Sequence, residues 1–293
     1  MRPRVRYSLF FLDLLVVSLL PLHAEPKFSS VVQASRTTIP DLTQTDPRGN
    51  FPAGGVTYCG PVAVSNSLWA LFGEEYEARE TFTQFDLVHE LASQPFMNIE
   101  VSKGCTVKQL ARGVDTYLRR QGEKNYYLKF QGWRPHDNRH ATGLFGPRIT
   151  WIKNILNAPR SAVWLNVGWY CETPDQDSYR RIGGHWVTAV GYGIDQKGRP
   201  NPNYLIIHDP APRAGPPAPE FVKLTRITSG VLTGVHKNLP RPAAGFYLMQ
   251  GGMHLKRGAH HGILDGAVGL VLQERTQQKK LKLKAHSSPD PFH

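Results

Sequence analysis

The sequence predicts an α+β fold, with a helical N-terminal part ahead of a mostly antiparallel β-sheet. Two observations lead there. Segments with apolar residues at helical spacing crowd the first half of the chain, and strand-like runs crowd the second. Segregation of this kind favours α+β over alternating strand–helix units. A third observation bounds the class: 40% hydrophobic and 20% charged residues is ordinary globular composition, which excludes collagen, coiled coil and wholesale disorder. At 293 residues without internal repeats, the chain has ample length to bury a core.

The first 24 residues read as a secretory signal peptide. Arg2, Arg4 and Arg6 precede an apolar run from Leu9 to Leu20, Pro21 breaks it, and Ala24 supplies a small residue for cleavage. That run is interrupted by Asp13 and falls short of the roughly 20 apolar residues a spanning helix needs. Export to the periplasm or the medium is therefore expected. Residues 25–49 are polar and aperiodic and read as an extended segment; 50–252 read as the folded domain, and 253–293 as a basic, partly disordered tail carrying Lys279, Lys280, Lys282 and Lys284.

Within the domain, 59–73 read as a helix with Pro61 in its first turn and Gly73 at its end. Residues 74–92 read as a second helix with an acidic start. Thr106 caps a third, in which Val107, Leu110, Val114, Tyr117 and Leu118 repeat at helical spacing. A strand over 125–130 and a short helix over 148–157 follow. Strands are then expected at 162–170, 185–192, 204–208 and 245–249, with a proline-rich loop over 210–219.

Three short segments carry candidate chemistry: Tyr58-Cys59-Gly60-Pro61, Gly183-Gly184-His185-Trp186-Val187 and His208-Asp209-Pro210. Singly each is weak. A cysteine at a helix start is more often packing than a nucleophile, a histidine on a strand more often hydrogen-bonded core, and an Asp before Pro usually a turn former. Together they supply a nucleophile, a base and an orienting acid. Cys59 stands where free backbone N–H groups favour an anion, its own N–H can hold an oxyanion, and a nearby imidazole can take its proton. Residues 195–203 read as a turn, and residue 197 is the midpoint of 185 and 209. An antiparallel hairpin would thus bring His185 near Asp209.

The order Cys-Gly-Pro at a helix start, then Gly-Gly-His-Trp-Val, then His-Asp-Pro, resembles papain-like cysteine peptidases, closest to the bacteriocin-processing (double-glycine leader) peptidase-like family. The resemblance covers roughly residues 50–212. It implies a papain-like fold in which helices carry the nucleophile Cys59 and an antiparallel sheet carries the base His185 and the orienting acid Asp209. One departure stands out: where the family has an oxyanion-binding glutamine, six residues before the cysteine, this chain has Ala53. Asn50 or Gln44 is left as a replacement donor.

The function expected is an exported cysteine hydrolase of peptide or isopeptide bonds, working through a thioester. The alternative is a catalytically silent module that binds peptides or envelope components. Acyl transfer to an amine is a third reading. Cys105 and Cys171 either form a disulfide, as an even remainder in an exported protein suggests, or stay as separate thiols. Cys171 is a poorer nucleophile candidate, because Glu172-Thr173-Pro174 reads as loop. His136 with His140, and His254 with His260 and His261, lack partners at zinc-ligand spacing, so no metal and no cofactor is expected. Trp164, Trp169 and Trp186 read as core or cleft-wall aromatics, and Asn66 as helix packing near the site. A net charge of +12 favours weak contact with anionic surfaces through the tail. Without an interleaved basic and aromatic stripe, nucleic acid is not expected as a partner. A monomer acting on a peptide or protein substrate is expected.

Overall fold

Six strands of the second half close into a ring. The computed structural model describes residues 39–173, 178–213, 215–234 and 240–273; the signal-peptide reading and the lysine cluster of the tail lie outside them. The ring consists of β2 (Ser161–Glu172), β3 (Ser178–Ile194), β4 (Pro200–His208), β5 (Glu220–Arg226), β8 (Tyr247–Gly251) and β9 (His261–Leu272), each antiparallel to its neighbours. Closure comes from β2, which pairs β3 on one side and β9 on the other. Three strands lie outside the ring. β1 (Tyr126–Gly132) adds to β9, β6 (Val231–Thr233) runs parallel to the start of β3, and β7 (Arg241–Pro242) pairs β6.

The fold is accordingly mostly β, a closed six-stranded antiparallel barrel with three extra strands and few helices, and the α+β papain-like expectation is corrected. The physical reasons are local. β9 contains Gly262, Gly266 and Gly269 and the acidic Asp265, which break up its apolar run, so its segment read as tail. The strand needs those gaps: a Cβ on Gly266 would meet the Phe130 ring and the Gln131 carbonyl at about 2.6 Å, where β1 crosses closely. β3 likewise begins seven residues before His185, running through Gly183 and Gly184 ahead of the expected start at 185. Closure itself pairs Ser161 with Val271, a contact with no local signature. The folded part thus extends to Leu272, beyond the expected boundary at 252.

The helices are α1 (Cys59–Leu71), α2 (Gly73–Glu77), α3 (Gln84–Ala92), α4 (Val107–Arg120) and α5 (Ile149–Asn157). The single helix expected over 74–92 splits, because Thr83 caps α3 in a reciprocal box with Asp86. Every residue of α1 from Cys59 to Leu68 is buried, as an all-round apolar helix must be. One core lies between α1, α3, α4 and the barrel's outer face, joining Leu68, Leu91 and Leu110 to Trp164 and Trp186. The other joins Val163, Leu165, Val187 and Leu205 to Ile152 and Leu156 of α5. The buried Thr188 hydroxyl of β3 donates to the Ala63 carbonyl of α1 at 2.7 Å, fixing helix against barrel. No helix among the described residues is long and apolar enough to cross a membrane.

Candidate active site

Cys59 opens α1, and Tyr58 ahead of it offers no side-chain cap. The first N–H groups of the helix therefore have no partner within it and remain for an incoming oxygen. His185 sits on β3 at the wall of the same cleft, and Asp209 follows β4. The β3–β4 hairpin pairs Thr188 with His208 and is interrupted by two register shifts, so 185 and 209 are not direct partners. Their side chains still meet: the His185 Nε2–H donates to Asp209 Oδ1 at 2.6 Å, both groups buried. With Nε2 engaged by Asp209, the ring nitrogen left is Nδ1, and Cys59 lies near enough to favour the charged ring. Nucleophile, base and acid thus stand together at one cleft, brought there by α1, β3 and the end of β4.

The acid is held from several sides. Asp209 Oδ1 also accepts the Ala211 N–H at 2.9 Å, and Oδ2 accepts the His254 N–H at 2.8 Å. Trp169 stacks on the His185 ring at 5.2 Å between centroids and 16° between planes, and its indole N–H donates to the His254 carbonyl at 3.3 Å. Ring, acid and Trp169 therefore brace one another.

Burial by itself would disfavour charge on this pair, but their proximity outweighs it. Burial acts to lower the His185 pKa, yet the Asp209 carboxylate and the Cys59 contact raise it from 6.5 to about 10. Burial acts to raise the Asp209 pKa, yet the imidazolium and the Ala211 and His254 N–H groups hold it below the usual 3.8. Glu220, whose carboxyl accepts the Asp209 N–H, is pushed up to about 8 by burial and then by the charges of Asp209 and Asp41. It keeps its proton at neutral pH and leaves Asp209 as the anion beside His185.

The linkage has a definite sign. The raised His185 pKa contributes stability that is complete below pH 6.5 and is lost as pH rises through about 10. The lowered Asp209 pKa contributes stability present above 3.8 and lost as pH falls through its folded value. The melting-temperature advantage of the wild type over Asp209→Asn should therefore be largest near pH 4–6.5 and shrink steadily between 6.5 and 10. A difference constant across that alkaline range would contradict the charged pair.

Gln44 and Asn50 separate clearly. Gln44 lines the cleft with Cys59 and is buried, with its side-chain Oε1 unpartnered. Its segment is tied down at several points. The Gln44 N–H donates to Pro210 O at 2.7 Å, the Leu42 N–H to Asn66 Oδ1 at 3.2 Å, and His208 Nδ1 lies 3.1 Å from Pro40 O. Asn50 is exposed, caps a short 3-10 turn over Pro47–Gly49 and is not among the cleft-lining residues. Ala53 is likewise exposed in a turn.

The cysteines are all free, so Cys105 and Cys171 are not bridged. Cys105 stands at the cleft beside Gly60, where a Cβ would lie 2.7 Å from its own. Burial, then the nearness of Cys59, pushes its thiol well above the ordinary range, so it stays protonated. Cys171 is at the far end of β2, with its thiol donating to Gly258 O at 2.8 Å, which accounts for the missing bridge. Among the described residues no group of three or more His, Cys, Asp or Glu could hold a metal ion. His254 serves Asp209 through its backbone, and Asn66 packs as a buried acceptor on α1. Trp169 lines the cleft, Trp186 lines it while donating to Cys105 O at 2.9 Å, and Trp164 is core.

Sequence reasoning did not find Glu220, Asn166, Arg134 or Arg181. Glu220 follows the proline-rich loop, and the other three reach the cleft only through strand pairing and the turn after β1. The cleft holds about 670 Å³, enough for several residues of an extended peptide. No family model matches this chain and no curated protein matches it in sequence, so the comparisons do not identify the peptidase family that its motifs resemble.

Proposed function

We propose that the chain is an exported thiol hydrolase of peptide or isopeptide bonds. The observation that carries this reading is that Cys59 and His185 line one open cleft, with His185 bonded to a buried Asp209. His185 stands as the imidazolium at neutral pH, and Cys59 attacks the acyl carbon as the thiolate paired with it. The developing oxyanion lies against the Cys59 N–H and the Gln44 side-chain amide. The imidazolium then donates its proton to the leaving amine, the C–N bond breaks, and a thioester remains. Water, giving a proton to the now neutral His185, attacks that thioester; the acid leaves, and the thiolate and imidazolium are restored. Asp209 keeps the ring oriented throughout.

The binding-only alternative draws on the missing family glutamine and on the basic surface; the place of Gln44 in the cleft favours turnover instead. Gln44→Ala should lower kcat by ~10²–10³ with little change in KM, because the amide acts on charge that develops only in the transition state. Steady-state kinetics on any cleaved peptide check this; a raised KM at unchanged kcat would remove Gln44 from the oxyanion site.

A further inference from the structure

The cleft is lopsided in charge. Lys103, Lys108, Arg134, Arg181 and Lys256 line it, and among the described residues no Asp or Glu does. Two of these cations are answered elsewhere, Lys103 by Glu100 at 2.7 Å and Lys108 by Asp137 at 3.4 Å. Arg181 is answered from beneath, its Nε–H donating to the fully buried Asp265 at 2.8 Å. Arg134 is different. Its Nη1 is buried without a hydrogen-bond partner, and burial together with the charge of Arg181 makes its own charge costly. Lys256, with only a long 3.5 Å contact to the Ile182 carbonyl, meets no carboxylate.

These groups adjoin the reacting atoms. Arg181 precedes His185 on β3, and its guanidinium lies directly over Gly184, where any side chain would collide with it. Gly183 carries the Lys256 stem at 3.4 Å from where its Cβ would be. Across the pair, Gly168 lies opposite Gly184. The glycines next to His185 thus leave room that the Arg181 guanidinium and the Lys256 stem occupy, which brings two cations close to the imidazole. A half-buried guanidinium with one buried, unpartnered nitrogen is matched in shape and charge by a carboxylate.

We propose that this part of the cleft recognises a carboxylate on the substrate peptide, through Arg134 and Lys256, with Arg181 held in place by Asp265. The proposal rests on the hydrolase reading for the identity of the ligand as a peptide. The carboxylate can come from an Asp or Glu side chain or from a free C-terminus, and one experiment separates the two.

Randomised N-acetylated heptapeptide pools are passed over the immobilised full-length Cys59→Ala protein: acidic with an amidated C-terminus, neutral with a free C-terminus, neutral and amidated, and basic. At least one carboxylate-bearing pool should be retained about tenfold or more over the neutral amidated pool, with the preference falling as salt is raised. Arg134→Gln and Lys256→Gln should each erode that preference. Equal retention of all pools, preference for the basic one, or no retention at all overturns the proposal. The pool comparison uses an unaltered cationic edge, so it holds whether or not those two variants fold. Cleavage of the retained peptides by the wild type is scored separately. Retention without cleavage removes the hydrolase reading and leaves carboxylate recognition standing; cleavage with no preference for either carboxylate-bearing pool does the reverse.

Discussion

Cys59→Ala should take peptide hydrolysis below ~10⁻⁴ of the wild-type rate, the largest effect expected on activity. The size follows from the chemistry. The thioester needs a sulfur at this position, and no neighbour can replace it: Cys105 is near, but burial keeps its thiol protonated, and Cys171 lies outside the cleft. The variant should fold, because Cys59 contributes one small side chain at the edge of the first core while Leu68, Leu91 and Leu110 carry its centre. Two readouts check it together. Turnover should vanish, and labelling by a small thiol-directed electrophile should lose its fastest site, as mapped by mass spectrometry. Residual hydrolysis at a tenth of the wild-type rate would place the chemistry elsewhere.

Asp265→Ala should cost about 3–5 kcal/mol of folding stability, the largest loss expected from any single truncation in the barrel. Asp265 is fully buried at a register shift between β2 and β9. Its carboxylate accepts from Tyr170 Oη at 2.6 Å, Trp133 Nε1 at 3.1 Å and Arg181 Nε at 2.8 Å. Truncation leaves all three donors buried without an acceptor, one of them charged. Asp265→Asn keeps the shape and part of the bonding and should lose clearly less. Urea unfolding of the three proteins measures this; equal midpoints for wild type and Asp265→Ala would show that water can replace the carboxylate.

The helical half was legible because its signals are local. Apolar spacing and the Thr106 cap put α4 within one or two residues of its observed ends, and Cys-Gly-Pro marked the start of α1. The contact between His185 and Asp209 could be anticipated from a turn and a midpoint, although register shifts move the pairing itself. Barrel closure could not be read this way. It depends on β9, whose glycines and Asp265 answer needs of β1, Tyr170 and Arg181, residues remote in sequence. Gln44 was hard to rank against Asn50 for a similar reason. What selects it is the tethering of its segment to β4 and α1, a tertiary fact.

The ring also bears on when the protein becomes competent. The sulfur belongs to residue 59, while the wall behind the imidazole is completed only by a strand ending at residue 272. A chain emerging from its N-terminus shows the thiol early and gains its finished surroundings last. On the hydrolase reading, activity should therefore arise late in maturation, once β9 has paired with β2.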